Sequence, residues 1–135
     1  IRRAMRKERP VRVGLGTDLG AGTSFSMLST LNEAYKAAQL NGYALSAGHA
    51  YYVATRGTAH AMYLDDRIGS IAPGMEADIV VLDMKSTPII EYRMRYAKDF
   101  AEALFIQMTM GDDRAVQASY VAGRLLYEKA GKTAI

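Results

Sequence analysis

The run Gly14-Leu15-Gly16-Thr17-Asp18 decides the predicted fold of this chain. It closes an apolar segment, residues 11–15, that is typical of a short buried strand. A glycine loop, residues 19–22, follows it, and a helical pattern begins at Thr23. The order strand, glycine loop, helix predicts a βα unit. Because α/β barrels place catalytic groups at the carboxyl ends of their strands, Asp18 is the first candidate site residue.

The role of Asp18 has two interpretations that spacing alone leaves open. A carboxylate at this position can bind a metal ion or transfer a proton. An aspartate that follows a strand can equally well form a turn or cap the next helix. Most of the partners that a metal-binding carboxylate needs are absent from the chain.

The histidines do not supply those partners. The sequence contains two, His49 and His60, and both fall in one predicted helix. Their separation of eleven residues corresponds to about 16 Å along a helix axis, which is too far to share a metal ion. We predict that His60 is a packed or half-exposed helix residue and that neither histidine is a ligand.

The glycines around Asp18 do not match a nucleotide-binding motif. The dinucleotide pattern G-x-G-x-x-G fails because position 19 is leucine, and no acidic residue closes a second strand about twenty residues later. The phosphate-loop pattern fails because no Gly-Lys-Ser/Thr sequence follows. Nucleotide binding through this loop is therefore disfavoured.

Composition indicates a globular domain. Half of the 135 residues are hydrophobic and 23% are charged, and the apolar runs are too short to span a bilayer. The absence of cysteine excludes disulfides and cysteine metal ligands, and it fits a reducing compartment such as the cytoplasm. Basic residues cluster near the amino end, at positions 2–12. We interpret them as a solvated helix face rather than a nucleic-acid site, because no aromatic residue is interleaved with them.

Two longer helices are predicted after the glycine loop. The first covers residues 23–40, with Thr23 or Ser24 as its N-cap and Asn41-Gly42 as its left-handed end. The second covers residues 46–64, and its interior Gly57 indicates close packing against a neighbour. The buried candidates in the second helix are Tyr52, Val53, Thr55, Ala59 and Met62.

The second half of the chain is predicted to be rich in β-structure. Residues 78–83 form a clear strand pattern, and residues 99–110 form a helix that Gly111-Asp112-Asp113 ends. Residues 116–127 predict a hairpin with Ala122-Gly123 as its two-residue turn. We interpret the aspartates Asp78 and Asp83 as structural, and an Asp–Arg pair within residues 65–67 or 111–114 as ordinary surface chemistry.

Both halves are expected to be parts of a larger assembly. A single βα unit cannot form a parallel sheet, and three or four short strands make a poor sandwich. Residues 1–9 resemble the tail of a helix that Pro10 ends, and Ile1 is not an initiator methionine. We therefore expect a fragment, with a barrel portion at residues 1–64 and part of a small β-rich domain at residues 65–135.

Several motifs resemble one known family. The sequence V-G-L-G-T-D-L-G-A-G-T-S-F-S-M-L, residues 13–28, resembles the last barrel strand and loop of guanine deaminases in the metal-dependent amidohydrolase superfamily. A-T-R-G-T-A-H-A-M, residues 54–62, resembles a helix of the superfamily. I-G-S-I-A-P-G-M-E-A-D-I-V-V-L-D, residues 68–83, is similar to its carboxyl-terminal β-region. M-G-D-D-R and Y-V-A-G-R-L-L-Y resemble the ending of guanine deaminases.

The resemblance implies an α/β fold: the carboxyl-terminal part of a metal-dependent (β/α)8 barrel hydrolase plus part of a small β-sandwich domain. It implies an enzyme that binds one zinc ion, hydrolyses guanine to xanthine and ammonia, and forms a homodimer. In that family the aspartate of the last strand touches the metal and helps to activate the water, and the matching residue here is Asp18. The histidine and glutamate ligands and the purine-recognising residues have no match in this chain, so activity of the chain alone is not expected.

Two other functions remain open on the sequence. One keeps the superfamily but changes the substrate to another aminated heterocycle or a chlorinated triazine. The other is a non-catalytic assembly domain, because apolar surface exposed on a truncated chain favours association. We expect no nucleic-acid or membrane partner.

Overall fold

The computed structural model describes residues 11–130. Within this range the elements in chain order are helices α1 (Met27–Leu40), α2 (Ala47–Ala54) and α3 (Arg56–Ala61), strand β1 (Ile79–Leu82), helices α4 (Pro88–Met94) and α5 (Phe100–Met110), a 3-10 turn (Asp113–Ala115), and strands β2 (Val116–Val121) and β3 (Arg124–Glu128). None of these helices has both the length and the apolar character needed to cross a membrane. The helix tail predicted for residues 1–9 lies outside the described residues.

Helix α1 begins four residues later than the sequence predicts. Its N-cap is Ser26, whose hydroxyl accepts a hydrogen bond from the Ser29 amide. The predicted caps Thr23 and Ser24 are wrong because Ser24 holds the preceding loop instead, with its hydroxyl accepting from the Ser26 amide. The end of the helix is confirmed, since Asn41 is the C-cap and Gly42 has a φ of +68°.

The helix predicted for residues 46–64 is divided at Thr55. Thr55 has φ −123° and ψ −100°, which are not helical values, so α2 ends before it and α3 begins after it. The close packing predicted at Gly57 is confirmed, because a Cβ there would lie 2.9 Å from the Tyr52 carbonyl oxygen. The neighbour is therefore the last turn of α2.

The buried residues predicted for this region are correct in part. Val53 and Ala59 are buried, whereas Tyr52, Thr55 and Met62 are exposed. The break explains the errors at Thr55, which lies at the junction, and at Met62, which lies beyond it, because a helical periodicity does not continue through a break. It does not explain Tyr52, which precedes the break.

The three strands form an antiparallel sheet in the order β1-β2-β3. The predicted strand within residues 78–83 and the predicted hairpin are confirmed, with Ile79 opposite Tyr120 and Val121 opposite Arg124. Both turn residues have positive φ, +48° at Ala122 and +76° at Gly123, as a type I′ turn requires.

The turn of the hairpin is attached to the beginning of β1. The Ala122 amide donates to the Asp78 carboxylate at 2.8 Å, and the Gly123 amide donates to the Ala77 carbonyl at 3.0 Å. Asp78 therefore has the structural role that the sequence predicts.

Helix α4 has no counterpart in the sequence prediction, which assigns no element to residues 84–98. Thr87 caps it by accepting from the Ile90 amide, and Pro88 occupies its first turn. Proline is favoured at the first position of a helix because the amide it lacks would have no helical partner there. Thr87-Pro88 was thus an available signal.

The core lies between three helices and one edge of the sheet. Helix α5 packs on α1 and α2, and α4 packs on α5. One buried cluster joins residues of both halves of the chain: Leu28, Leu31, Leu45, Ala50, Met108 and Ala115. Leu15 and Leu82 pack against this cluster, so the segment before Asp18 is tied to the core.

The strand predicted for residues 11–16 is wrong for the described structure, which assigns no strand to these residues. A β-strand requires hydrogen bonds to a neighbouring strand. Among residues 11–130 the paired strands are β1, β2 and β3, and residues 11–16 are not part of their sheet. The segment is instead held by contacts with α2 and α3, which are described next.

Candidate functional site

Asp18 stands at the start of the glycine loop with its side chain exposed to solvent. Its backbone is in the left-handed region, with a φ of +45°, and aspartate is one of the few residues other than glycine that adopts this conformation readily. Among residues 11–130, no hydrogen bond or ion pair involves the Asp18 carboxylate. Both carboxylate oxygens are therefore available to a ligand.

The loop that follows Asp18 is a tight turn. The Asp18 carbonyl accepts from the amides of Ala21, at 3.1 Å, and Gly22, at 2.5 Å. A Cβ at position 22 would collide with the Thr17 carbonyl oxygen, so only glycine fits there. The glycines thus allow the chain to turn sharply just after the carboxylate.

The segment before Asp18 is attached to the junction of α2 and α3. The Leu15 amide lies 3.0 Å from the Thr58 hydroxyl oxygen and 3.2 Å from the Val53 carbonyl oxygen. The Thr58 hydroxyl in turn donates to the Val53 carbonyl at 2.6 Å. Gly14 lies directly against Thr58, because a Cβ on Gly14 would be 2.6 Å from the hydroxyl oxygen.

A second attachment lies three residues earlier. The Arg12 guanidinium donates to the His60 carbonyl at 3.1 Å and lies 4.3 Å above the centre of the Tyr63 ring. A cation over an aromatic ring is attracted to its negative face. Arg12 therefore fixes one end of the segment on the far end of α3, while Leu15 is fixed nearer to Asp18.

The histidines pair with other side chains. His60 lies 2.8 Å from the Asp65 carboxylate, and His49 lies 3.0 Å from the Tyr43 hydroxyl. The hydrogen bond from His60 lowers the pKa of Asp65. The half-exposed position predicted for His60 is confirmed. Between residues 11 and 130, no three histidine or carboxylate side chains are close enough to hold a metal ion.

Two further aspartates of the second half, Asp83 and Asp112, have structural partners. Asp83 accepts from the Lys85 amide at 2.8 Å. Asp112 caps the 3-10 turn and forms a two-point ion pair with Arg114, whose hydrogen bonds lower the pKa of Asp112. The surface pair predicted within residues 111–114 is confirmed. The one predicted within residues 65–67 is wrong, because Asp65 pairs with His60 and Arg67 pairs with Glu76.

The contacts that Thr58 and Arg12 make with the segment and with α3 were not predicted from the sequence. Thr58 is 43 residues from Leu15, and nothing in its spacing marks it. The available signal was Gly14, because a glycine in an apolar run often marks the close approach of another part of the chain.

Comparison with known proteins identifies relatives over nearly the whole chain. The pattern of the amidohydrolase family matches residues 2–126. Guanine deaminase of Escherichia coli K12 is 52% identical over 122 residues, which cover 90% of this chain, and its solved structure superposes with a TM-score of 0.87. The crystal structure of guanine deaminase from Bradyrhizobium japonicum is 32% identical, covers 95% of this chain and has a TM-score of 0.83.

A more distant similarity is to an adenosine deaminase from Xanthomonas campestris with bound zinc. It is 27% identical, its TM-score is 0.58, and the match covers 73% of this chain and 21% of that one. The chain spans 28% of the length of the E. coli enzyme and 34% of the Bradyrhizobium enzyme. Because the family pattern covers nearly the whole sequence, this chain belongs to the amidohydrolase family.

Proposed function

We propose that this chain supplies the part of a guanine deaminase that carries one catalytic carboxylate, Asp18. The observation that carries the proposal is the combination of an exposed, unpaired Asp18 carboxylate on a firmly attached segment with strong similarity to two guanine deaminases. The reaction is the hydrolysis of guanine to xanthine and ammonia.

Asp18 acts on protons in this proposal. Its carboxylate takes a proton from the attacking water, whose oxygen bonds to the carbon that bears the amino group. It then delivers this proton to the departing nitrogen, which leaves as ammonia when the carbon–nitrogen bond breaks. Proton transfer by a positioned side chain contributes about 10²- to 10⁴-fold to a rate.

Among the described residues, Asp18 can supply one ligand to a metal ion. A carboxylate oxygen is a normal zinc ligand, but zinc takes three or four protein ligands, and the described residues offer no group of three. The other ligands must therefore come from outside residues 11–130. When bound, zinc supplies a water of near-neutral pKa.

We assign the two halves of the chain accordingly. Residues 1–64 contribute the last strand and following helices of the barrel, where residues 11–16 gain the parallel neighbours that they lack here. Residues 65–135 contribute part of the small β-rich domain, and the antiparallel sheet supports this half of the assignment. A homodimer and a cytoplasmic location stay predictions.

A hybrid enzyme tests the proposal. The segment of E. coli guanine deaminase that aligns with this chain is replaced by the chain, and guanine turnover and zinc content are measured on the same sample. We expect the hybrid to deaminate guanine. We expect Asp18→Asn to lower kcat by about a hundredfold or more, because an amide cannot accept the proton.

The matched control is Asp113→Asn, which neutralises an exposed aspartate of the 3-10 turn and should leave turnover unchanged. The chain alone should show no turnover and should lose zinc on dialysis. A folded, zinc-loaded hybrid that ignores guanine, or an Asp18→Asn variant with full activity, would overturn the proposal. Turnover of a different heterocycle by the hybrid would overturn the substrate assignment alone.

A further inference from the structure

The segment that leads to Asp18 is hydrogen-bonded to a side chain on another element. The Thr58 hydroxyl bridges the Val53 carbonyl at the end of α2 and the Leu15 amide three residues before Asp18. We propose that Thr58 is a positioning residue, which sets the placement of Asp18 through this bridge. The inference rests on the proposed function, because it concerns the same carboxylate.

The break at Thr55 creates the docking point. The last carbonyls of a helix have no partner within the helix and must find one elsewhere. Since α2 ends at Ala54, the Val53 carbonyl is one of these, and it accepts from both the Thr58 hydroxyl and the Leu15 amide. The helix end thus acquires its missing partners from α3 and from the segment that leads to Asp18.

The hydroxyl has one hydrogen, and the distances show where it goes. Val53 O is 2.6 Å from the Thr58 oxygen, whereas Leu15 O is 3.3 Å away. The hydrogen therefore points to Val53, which leaves the oxygen lone pairs to accept from the Leu15 amide at 3.0 Å. A residue of the same shape without the hydroxyl would keep the packing but lose the bond to Val53 O and the bond from the Leu15 amide. The Leu15 amide would then keep only its 3.2 Å contact with Val53 O.

Because Leu15 and Asp18 are close in the chain, the contact that fixes Leu15 also restricts the position of Asp18. Two residues, Gly16 and Thr17, separate them, so a displacement of Leu15 would also displace the Asp18 backbone. The contact between Gly14 and Thr58 leaves the segment no room to move toward α3. The Arg12 contacts lie farther from Asp18, so Thr58 is the nearer point of control.

Thr58→Val in the hybrid enzyme tests this role, with Thr58→Ser restoring the hydroxyl. The control is Thr109→Val, because the Thr109 hydroxyl donates to Phe105 O of its own helix. We expect Thr58→Val to lower kcat and zinc affinity, each by about tenfold, because loss of a group that orients a ligand typically costs 10–100-fold. KM for guanine should not change, and Thr58→Ser and Thr109→Val should resemble the parent hybrid.

Hydrogen exchange provides a readout that does not depend on activity. Thr58→Val should speed exchange of the Leu15 amide, measured on a peptide that covers residues 11–18, and Thr109→Val should not. A zinc-loaded Thr58→Val hybrid with parental kcat, zinc affinity and Leu15 exchange would overturn the inference. If Asp18→Asn is inactive while Thr58→Val is unaffected, only this inference fails; if Asp18→Asn is fully active, the proposed function fails first.

Discussion

Gly14 and Gly16 are two glycines of the same segment, but their surroundings differ. A Cβ on Gly14 would lie 2.6 Å from the Thr58 hydroxyl oxygen and 2.8 Å from the Thr58 Cα, whereas a Cβ on Gly16 would meet nothing within 4 Å. The two positions therefore separate the effect of contact from the effect of glycine itself.

We expect Gly14→Ala to lower the free energy of unfolding by about 1–3 kcal/mol, because the extra methyl forces the segment away from α3. Gly16→Ala should be neutral or slightly stabilising, since it only restricts the unfolded chain. Urea unfolding of both variants, followed by circular dichroism, checks the pair. Equal midpoints for the two would show that the contact with Thr58 is not tight.

Asp18 could be selected as a candidate from the sequence, because the signals that mark it lie in the residues next to it. The apolar run before it and the glycines after it are local signals. Thr58 could not be selected in the same way, since its importance arises from a contact over 43 positions that no local pattern encodes.

At the scale of elements, the helices and strands that were predicted correctly are those whose ends carry a cap or turn residue. Asp99 caps α5 with its own side chain, and Ala122-Gly123 turns the hairpin, so both elements were found with nearly correct bounds. The break at Thr55 has no proline to mark it, and Gly57, two residues later, indicated close packing rather than a helix end. The strand at residues 11–16 was predicted from apolar character, but strands also require partners, which a local pattern does not report.

The hairpin turn offers a test at this scale. Ala122 occupies a left-handed position at which asparagine is favoured and alanine is strained. We expect Ala122→Asn to raise the free energy of unfolding by about 0.5–1 kcal/mol, because a left-handed backbone costs an ordinary residue about 1–2 kcal/mol. The measurement is the urea midpoint together with amide exchange in β2 and β3.

Gly123→Ala is the matched control, and we expect it to lower the free energy of unfolding. Its nearest neighbour would be the Ala77 Cβ at 4.0 Å, so any loss of stability reports the positive φ of +76° rather than a clash. A stable Gly123→Ala variant, or an Ala122→Asn variant less stable than the parent, would contradict the type I′ assignment.

At the scale of the whole molecule, the described chain exposes much apolar surface. Phe25, Leu40 and Ile71 are each at least 80% exposed. This agrees with a chain that spans about a third or less of the length of its relatives.

The acid sensitivity of the fold is a second property of the whole molecule. Hydrogen bonds from Arg114 lower the pKa of Asp112, and the hydrogen bond from His60 lowers that of Asp65. Because these pKa values are lower in the folded state, both groups contribute stability above the unfolded-state pKa of about 4, and this stability is lost as the pH falls through the folded pKa.

We expect Asp112→Asn to reduce the acid-induced loss of stability below about pH 4. The effect should be at most about 1 kcal/mol, because the pair is largely exposed and water screens it. Urea midpoints between pH 3 and pH 6 provide the measurement, with Asp113→Asn as the neighbouring control. A parent and an Asp112→Asn variant with parallel pH profiles would show that the ion pair does not contribute.

The attachment of residues 12–15 to α3 has a consequence for assembly. A loop that becomes ordered only when two pieces of protein meet loses its conformational entropy at that step, and the association is weakened accordingly. Here the backbone leading to the carboxylate is already held by Arg12 and Thr58 within one piece. In a split enzyme made from this chain and the complementary part of a relative, this chain would therefore contribute a preorganised segment, with little entropy left to lose on its side of the interface.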